Sequence, residues 1–183
     1  EGIKADDPDR EFLTLEELQA AAKVECEMPV LKNAFIFSAL TGLRWSDIEK
    51  LVWSEVQHSE QSGYYIRFRQ KKTKGAETLP ISEQAFQLLG ERRKPEDKVF
   101  EGLYYSAWHN LKLREWVMKA GITKHITFHC ARHTYATLQI TLGTDIYTVS
   151  KLLGHRHLKT TEIYAKVIDH KKQEAANKIK LDL

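Results

Sequence analysis

The chain has 183 residues, 42% hydrophobic and 29% charged, the make-up of one globular domain large enough to bury a substantial core. No apolar run approaches the roughly 20 residues a membrane helix needs, and no signal peptide opens the chain, which argues against a membrane or secreted protein. Cys26 and Cys130 are too few for a disulfide framework and form no C-x-x-C pair, so a reducing, cytoplasmic setting is expected.

Net charge is only +3, but it is unevenly spread. Residues 1–27 carry nine acidic and three basic side chains, which leaves 16 acidic and 25 basic in residues 28–183, a balance of +9. A basic body behind an acidic leader suits a phosphate-rich partner, although a solvated surface accounts for the charge equally well. The chain opens on Glu1 rather than Met, inside a polar stretch, which suggests a fragment or a processed product.

In chain order, Thr14-Leu15-Glu16-Glu17 reads as a capping box that starts a helix running to about Cys26. Leu31 to Thr41 reads as a second helix stopped by Gly42, and a short third begins near Trp45 and Ser46. Val52–Val56, Tyr64–Gln70 and Thr78–Ile81 are rich in β-branched and aromatic residues and are punctuated by Ser62-Gly63 and Gly75. With no helix between them, they predict a small antiparallel sheet. Ser82 then caps a helix that Gly90 closes, and Arg92-Arg93-Lys94-Pro95 is a loop. Helices are expected at about Tyr105–Ala120, Phe128–Leu142, Ile146–Leu153 and Thr161–Asp169, with Gly121, Gly143 and Gly154 at helix ends. Lys171–Leu183 is a charged, weakly amphipathic tail. The fold class is mainly α with a small three-stranded antiparallel sheet (α+β).

Three stretches carry chemistry. Thr41-Gly42-Leu43-Arg44-Trp45-Ser46-Asp47 sets an arginine after a helix end; if residues 44–47 are helical, Asp47 shares its face and can orient the guanidinium. His129-Cys130-Ala131-Arg132 puts an imidazole and a guanidinium at i and i+3. Gly154-His155 follows a helix end, and Tyr164 lies nine residues on, near a helix start whose partial charge favours a phosphate. Singly, each is more often a surface ion pair, a solvated helix face, a helix-end cap or a core-edge tyrosine. Their combination carries the reading.

Together these residues resemble the tyrosine recombinase (integrase) family. The matching segments are TGLRWSDI at 41–48, KKTKGAETLPIS at 71–82, TFHCARHTYAT at 127–137 and LLGHRHLKTTEIYAKV at 152–167. The resemblance implies a tyrosine recombinase catalytic-domain fold over residues 13–170, with residues 1–12 as the remnant of an interdomain linker. It implies that Arg44 and Arg132 are the catalytic arginines, that His129 is the histidine of the His-x-x-Arg box, and that His155 and Tyr164 complete the site, Tyr164 as nucleophile. Lys72 is the implied catalytic lysine, with Lys71 and Lys74 beside it as alternatives and as DNA contacts. The pattern is most similar to integrases of mobile elements such as conjugative transposons.

The roles suit the residues. Two bidentate guanidiniums can meet the charge that develops on a phosphodiester under attack. A tyrosine with a reference pKa of about 10 needs help to become a nucleophile, and His129 is the candidate for that proton. His155 would bond the phosphate, and Lys72 would protonate the departing 5′ hydroxyl. One phosphodiester replaces another through a 3′-phosphotyrosine, so neither ATP nor an obligatory metal is required. His129 and His133 at i, i+4, with His155 and His157 nearby, raise a zinc site, but the segment lacks the Glu of H-E-x-x-H and its arginine repels a cation.

Two other readings stay open at this point: a type IB topoisomerase-like strand cleavage, and a DNA-binding regulator that cuts nothing. The resemblance further implies double-stranded attachment sites as partner, a homotetramer on DNA, and an N-terminal DNA-clamp domain absent from this sequence. The stretch alone is then expected to bind DNA weakly and recombine poorly. Residues 171–183 either dock on a neighbouring protomer, as such tails do in this family, or fray.

Overall fold

A computed structural model describes residues 11–69, 76–155 and 157–182. The helices are α1 (Leu15–Lys23), α2 (Pro29–Thr41), α3 (Trp45–Lys50), α4 (Glu83–Gln87), α5 (Ala107–Lys119), α6 (Cys130–Thr141), α7 (Ile146–Leu152) and α8 (Ala165–Ala176). Strands β1 (Val56–Ser59), β2 (Gly63–Arg69) and β3 (Ala76–Pro80) form one antiparallel sheet in the order β1-β2-β3. This is the expected mainly helical class with a three-stranded sheet.

The capping box forms as the sequence predicts: Thr14 Oγ1 accepts from the Glu17 amide and Glu17 Oε1 accepts from the Thr14 amide. Helix α2 is apolar nearly all round, burying Leu31, Ala34, Phe35, Phe37 and Ala39, as a central helix must. It packs against α6. Phe35 meets Trp116 of α5 and Phe128 edge-on, with ring centroids 5.5 and 5.8 Å away, and Trp45 closes on Phe128 at 4.8 Å. Trp116 Nε1 donates to the carbonyls of Ala21 and Val24, stitching the end of α1 to α5. The N-terminal segment is tied to α6 by the Leu13 amide, which donates to Thr134 Oγ1 at 2.9 Å.

In the sheet, Ile66 pairs with Val56 on one side and Leu79 on the other, and all three are buried, so one face lies on the core. The expected strand Val52–Val56 is corrected. Residues Trp53–Glu55 form a 3-10 turn and the strand begins only at Val56. Burial of Trp53 and a tertiary clamp outweigh the local β preference: Arg92 donates to the carbonyls of Trp53 and Val56, bending the chain. Helix α8 starts later than Thr161 and runs on to Ala176, past the expected end at Asp169. No helix among the described residues is long and apolar enough to cross a membrane.

Candidate active site

Helix α6 brings the key groups together. Gly42 ends α2 in the left-handed conformation, φ 74°, which points its carbonyl at α6. Arg132, on α6 and only 6% exposed, donates through Nη1 to Gly42 O at 2.6 Å and through Nη2 to Leu153 O at 2.8 Å. Both acceptors are carbonyls at helix C-termini, where partners are lacking within the helix and negative partial charge accumulates. The guanidinium is thereby fixed in position, with donors left over for a ligand.

The same Nη2 lies 3.4 Å from His155 Nε2. Because arginine only donates, Nε2 accepts, and Nδ1–H then donates to Thr161 Oγ1 at 2.7 Å. Partial burial, then Arg132 and Arg44, push His155 down to about 4, so it is neutral at neutral pH. Arg132 is brought down to about 10, chiefly by burial and next by Arg44, while Tyr164, Asp47 and Tyr135 act the other way. It remains cationic at neutral pH. These mutual effects put Arg44, Arg132 and His155 in one electrostatic cluster.

The expectation for Arg44 and Asp47 assumed that residues 44–47 are all helical, and the helix here begins at Trp45. Arg44 is the N-cap of α3 with extended φ −73° and ψ 156°, and Asp47 lies in the first turn of that helix. The described ion pair of Asp47 is with Lys50, at 3.9 Å.

Tyr164 closes a 3-10 turn, Glu162–Tyr164, and is the N-cap residue of α8. Its amide donates to Thr161 O, so Thr161 supports both His155 and the tyrosine turn. The ring is 7% exposed and packs with Tyr135, Ile140, Val149 and Leu153 in a small second core. Its hydroxyl shares a 2.7 Å hydrogen bond with His133 Nδ1. Tyr135 has its phenol pushed up to about 12, chiefly by burial, so it is protonated at neutral pH.

His129, the expected proton handler, is exposed, and its ring sits edge-on to His133 at 4.6 Å. His133, weighed in the sequence only as a metal ligand, is the imidazole on the tyrosine hydroxyl. Its position directly after Arg132 was the available signal, but the partner lies 31 residues away and no spacing rule reaches it. Among the described residues no group of three or more His, Cys, Asp or Glu side chains could hold a metal. Lys71, Lys72 and Lys74 lie outside the described residues, between β2 and β3.

A cleft of about 200 Å³ borders Arg132, lined also by Asp47, Phe68, Thr78, Lys151 and Gly154. A larger cavity of about 430 Å³, walled by Trp45, Tyr105, Leu113 and Phe128, reaches the cluster only at His129.

Comparison with known proteins gives the same picture. Residues 11–171 match the model of the phage integrase family. A tyrosine recombinase of Pseudothermotoga lettingae is 30% identical over 179 residues, 92% of this chain, and the chain spans 60% of that relative's length. The crystal structure of XerA recombinase superposes with a TM-score of 0.74 at 22% identity, covering 98% of this chain and 68% of that one. The catalytic domain of bacteriophage HP1 integrase does so with a TM-score of 0.65 at 26% identity, covering 91% and 94%. The chain belongs to the phage integrase family and has the fold of a tyrosine recombinase catalytic domain.

Proposed function

We propose that the chain is the catalytic part of a site-specific recombinase, which cleaves and rejoins double-stranded DNA through a 3′-phosphotyrosine and serves integration and excision of a mobile element. The observation that carries this is the clustering of a carbonyl-anchored Arg132, Arg44 and a neutral His155 with the buried Tyr164. Tyr164 Oη attacks the phosphorus, the P–O5′ bond breaks, and the two guanidiniums take up the charge on the non-bridging oxygens. A neutral His155 that turns from Arg132 toward the phosphate adds a further hydrogen bond. Lys72, assigned by family likeness, supplies the proton to the 5′ oxygen, and Lys71 and Lys74 contact the backbone nearby.

Neighbours of the same fold include a XerH recombinase bound to palindromic difH substrate and a Tn1549 transposon integrase with circular intermediate DNA. That likeness supports DNA as the partner and a mobile element as the context. A tetramer on DNA, an N-terminal clamp and docking of residues 171–183 on a neighbouring protomer complete the proposal. The two buried free thiols, Cys26 and Cys130, suit action in the cytoplasm.

The test is covalent trapping. Duplexes selected for binding from a randomised pool are nicked so that cleavage cannot reverse, incubated with protein, and denatured in SDS. DNA linked to Tyr164, and lost in Tyr164→Phe, is the expected result. Specific binding without any adduct would instead make the chain a DNA-binding regulator. Exchange of strands between two duplexes separates a recombinase from a topoisomerase.

A further inference from the structure

We propose that His133 is a catalytic residue of this site, taking the proton from Tyr164 Oη as that oxygen attacks the phosphate. The inference rests on the reading of Tyr164 as nucleophile and adds to it the destination of the proton. It also moves that role from His129, where the sequence pattern had put it.

Contact comes first. His133 Nδ1 and Tyr164 Oη are 2.7 Å apart, so the phenol can donate directly to an imidazole nitrogen. Both residues are buried, His133 at 6% and Tyr164 at 7% exposure, which shields the bond from competing water. A phenol with a reference pKa of about 10 is protonated at neutral pH and needs an acceptor as it attacks.

The neighbouring imidazoles are engaged otherwise. His155 uses Nδ1 on Thr161 and Nε2 on Arg132, and its low basicity makes it a poor proton acceptor. His129 is exposed, and its ring sits edge-on to His133 at 4.6 Å. It then serves as the outlet through which His133 exchanges its proton with solvent. Helix α6 thus presents two consecutive residues with complementary tasks: Arg132 meets the phosphate charge and His133 takes the proton.

The step balances without a co-reactant. The Oη–P bond forms, the P–O5′ bond breaks, the phenolic proton moves to His133 Nδ1, and the 5′ oxygen takes a proton from a separate acid. In rejoining, the 5′ hydroxyl displaces the tyrosine, and the His133 imidazolium returns the proton to Oη.

The experiment follows the rate of SDS-stable adduct formation by the chain on the nicked duplexes. It compares wild type, Tyr164→Phe, His129→Ala, His133→Ala and His133→Asn. Asparagine can accept a hydrogen bond from the phenol but cannot take its proton. Each variant is also given a duplex whose scissile 5′ oxygen is replaced by sulfur, a leaving group that departs without protonation. Loss of His133 is expected to slow the adduct by about 10²–10⁴-fold while DNA affinity holds, and His133→Asn should keep more of the melting temperature than His133→Ala. Asparagine and the sulfur substrate should not restore it, and added imidazole should restore part of it in His133→Ala. His129→Ala should lose far less.

Wild-type rates in His133→Ala, recovery by asparagine, or recovery on the sulfur substrate would each overturn the proposal. Recovery by asparagine would make His133 a positioning residue, and recovery on sulfur would make it the acid. If His133→Ala does not fold, the asparagine variant carries the test. Failure of the underlying reading looks different: wild type itself then forms no adduct at Tyr164.

Discussion

Replacing Gly42 with alanine should damage fold and site together. Gly42 sits at φ +74°, and a Cβ built there lies 2.6 and 2.8 Å from ring carbons of the buried Tyr135 and 3.0 Å from Leu153. The left-handed backbone costs an alanine about 1–2 kcal/mol. Forcing a methyl into that packed contact adds about 1–3 kcal/mol, for roughly 2–5 kcal/mol in all. Gly121, at φ +80° with nothing within 4 Å of its built Cβ, is the control; its alanine variant should lose only the backbone part. Equilibrium urea melts of both variants measure the difference, and for a chain this size it amounts to about 2–4 °C in melting temperature per kcal/mol. Because Gly42 O holds Arg132 Nη1, Gly42→Ala should also slow adduct formation at Tyr164 while Gly121→Ala does not. Equal stability losses in the two variants, with cleavage intact in both, would refute the packing argument and the anchoring role of that carbonyl.

Thr161→Val keeps the shape but removes the acceptor of His155 Nδ1–H, and should cost about 1–3 kcal/mol and slow cleavage; Thr161→Ser should restore both, as urea melts and trapping would reveal. Arg132→Lys puts one ammonium where a fork holds Gly42 O and Leu153 O, so adduct formation should fall by on the order of 10²–10³ despite the retained charge. A lysine variant cutting at the wild-type rate would contradict this. His155 gives a pH signature. Its folded pKa of about 4 lies below the ordinary 6.5, so between those values the unfolded chain binds a proton that the folded one refuses. The His155 contribution to stability is therefore full above 6.5 and declines as pH falls toward 4, and His155→Gln should flatten that part of the profile; an unchanged slope would dispose of the argument.

Local signals carried much of the fold. The Thr14–Glu17 capping box and the glycines at helix ends marked α1, α2, α5 and α7 to within a few residues, because caps are decided by neighbours in sequence. What failed depended on tertiary partners. Residues 52–56 read as strand until Arg92, far along the chain, bends them through the carbonyls of Trp53 and Val56. The helical reading of residues 44–47 began one residue early, because Arg44 is the N-cap of α3 and not its first helical residue. Among candidate site residues, Arg44, Arg132, His155 and Tyr164 were singled out because their order and spacing form a family pattern. The contact of His133 with Tyr164 was not legible, because it arises from the docking of the Tyr164 turn against α6.

The bond from the Leu13 amide to Thr134 Oγ1 ties the incoming chain to the residue directly after His133. Thr134 Oγ1 in turn donates to Cys130 O, one turn back along α6. The segment at Leu13 is thus anchored to the backbone of α6, which bears Arg132 and His133. Leu13 is therefore two hydrogen bonds from the Cys130 carbonyl at the start of that helix.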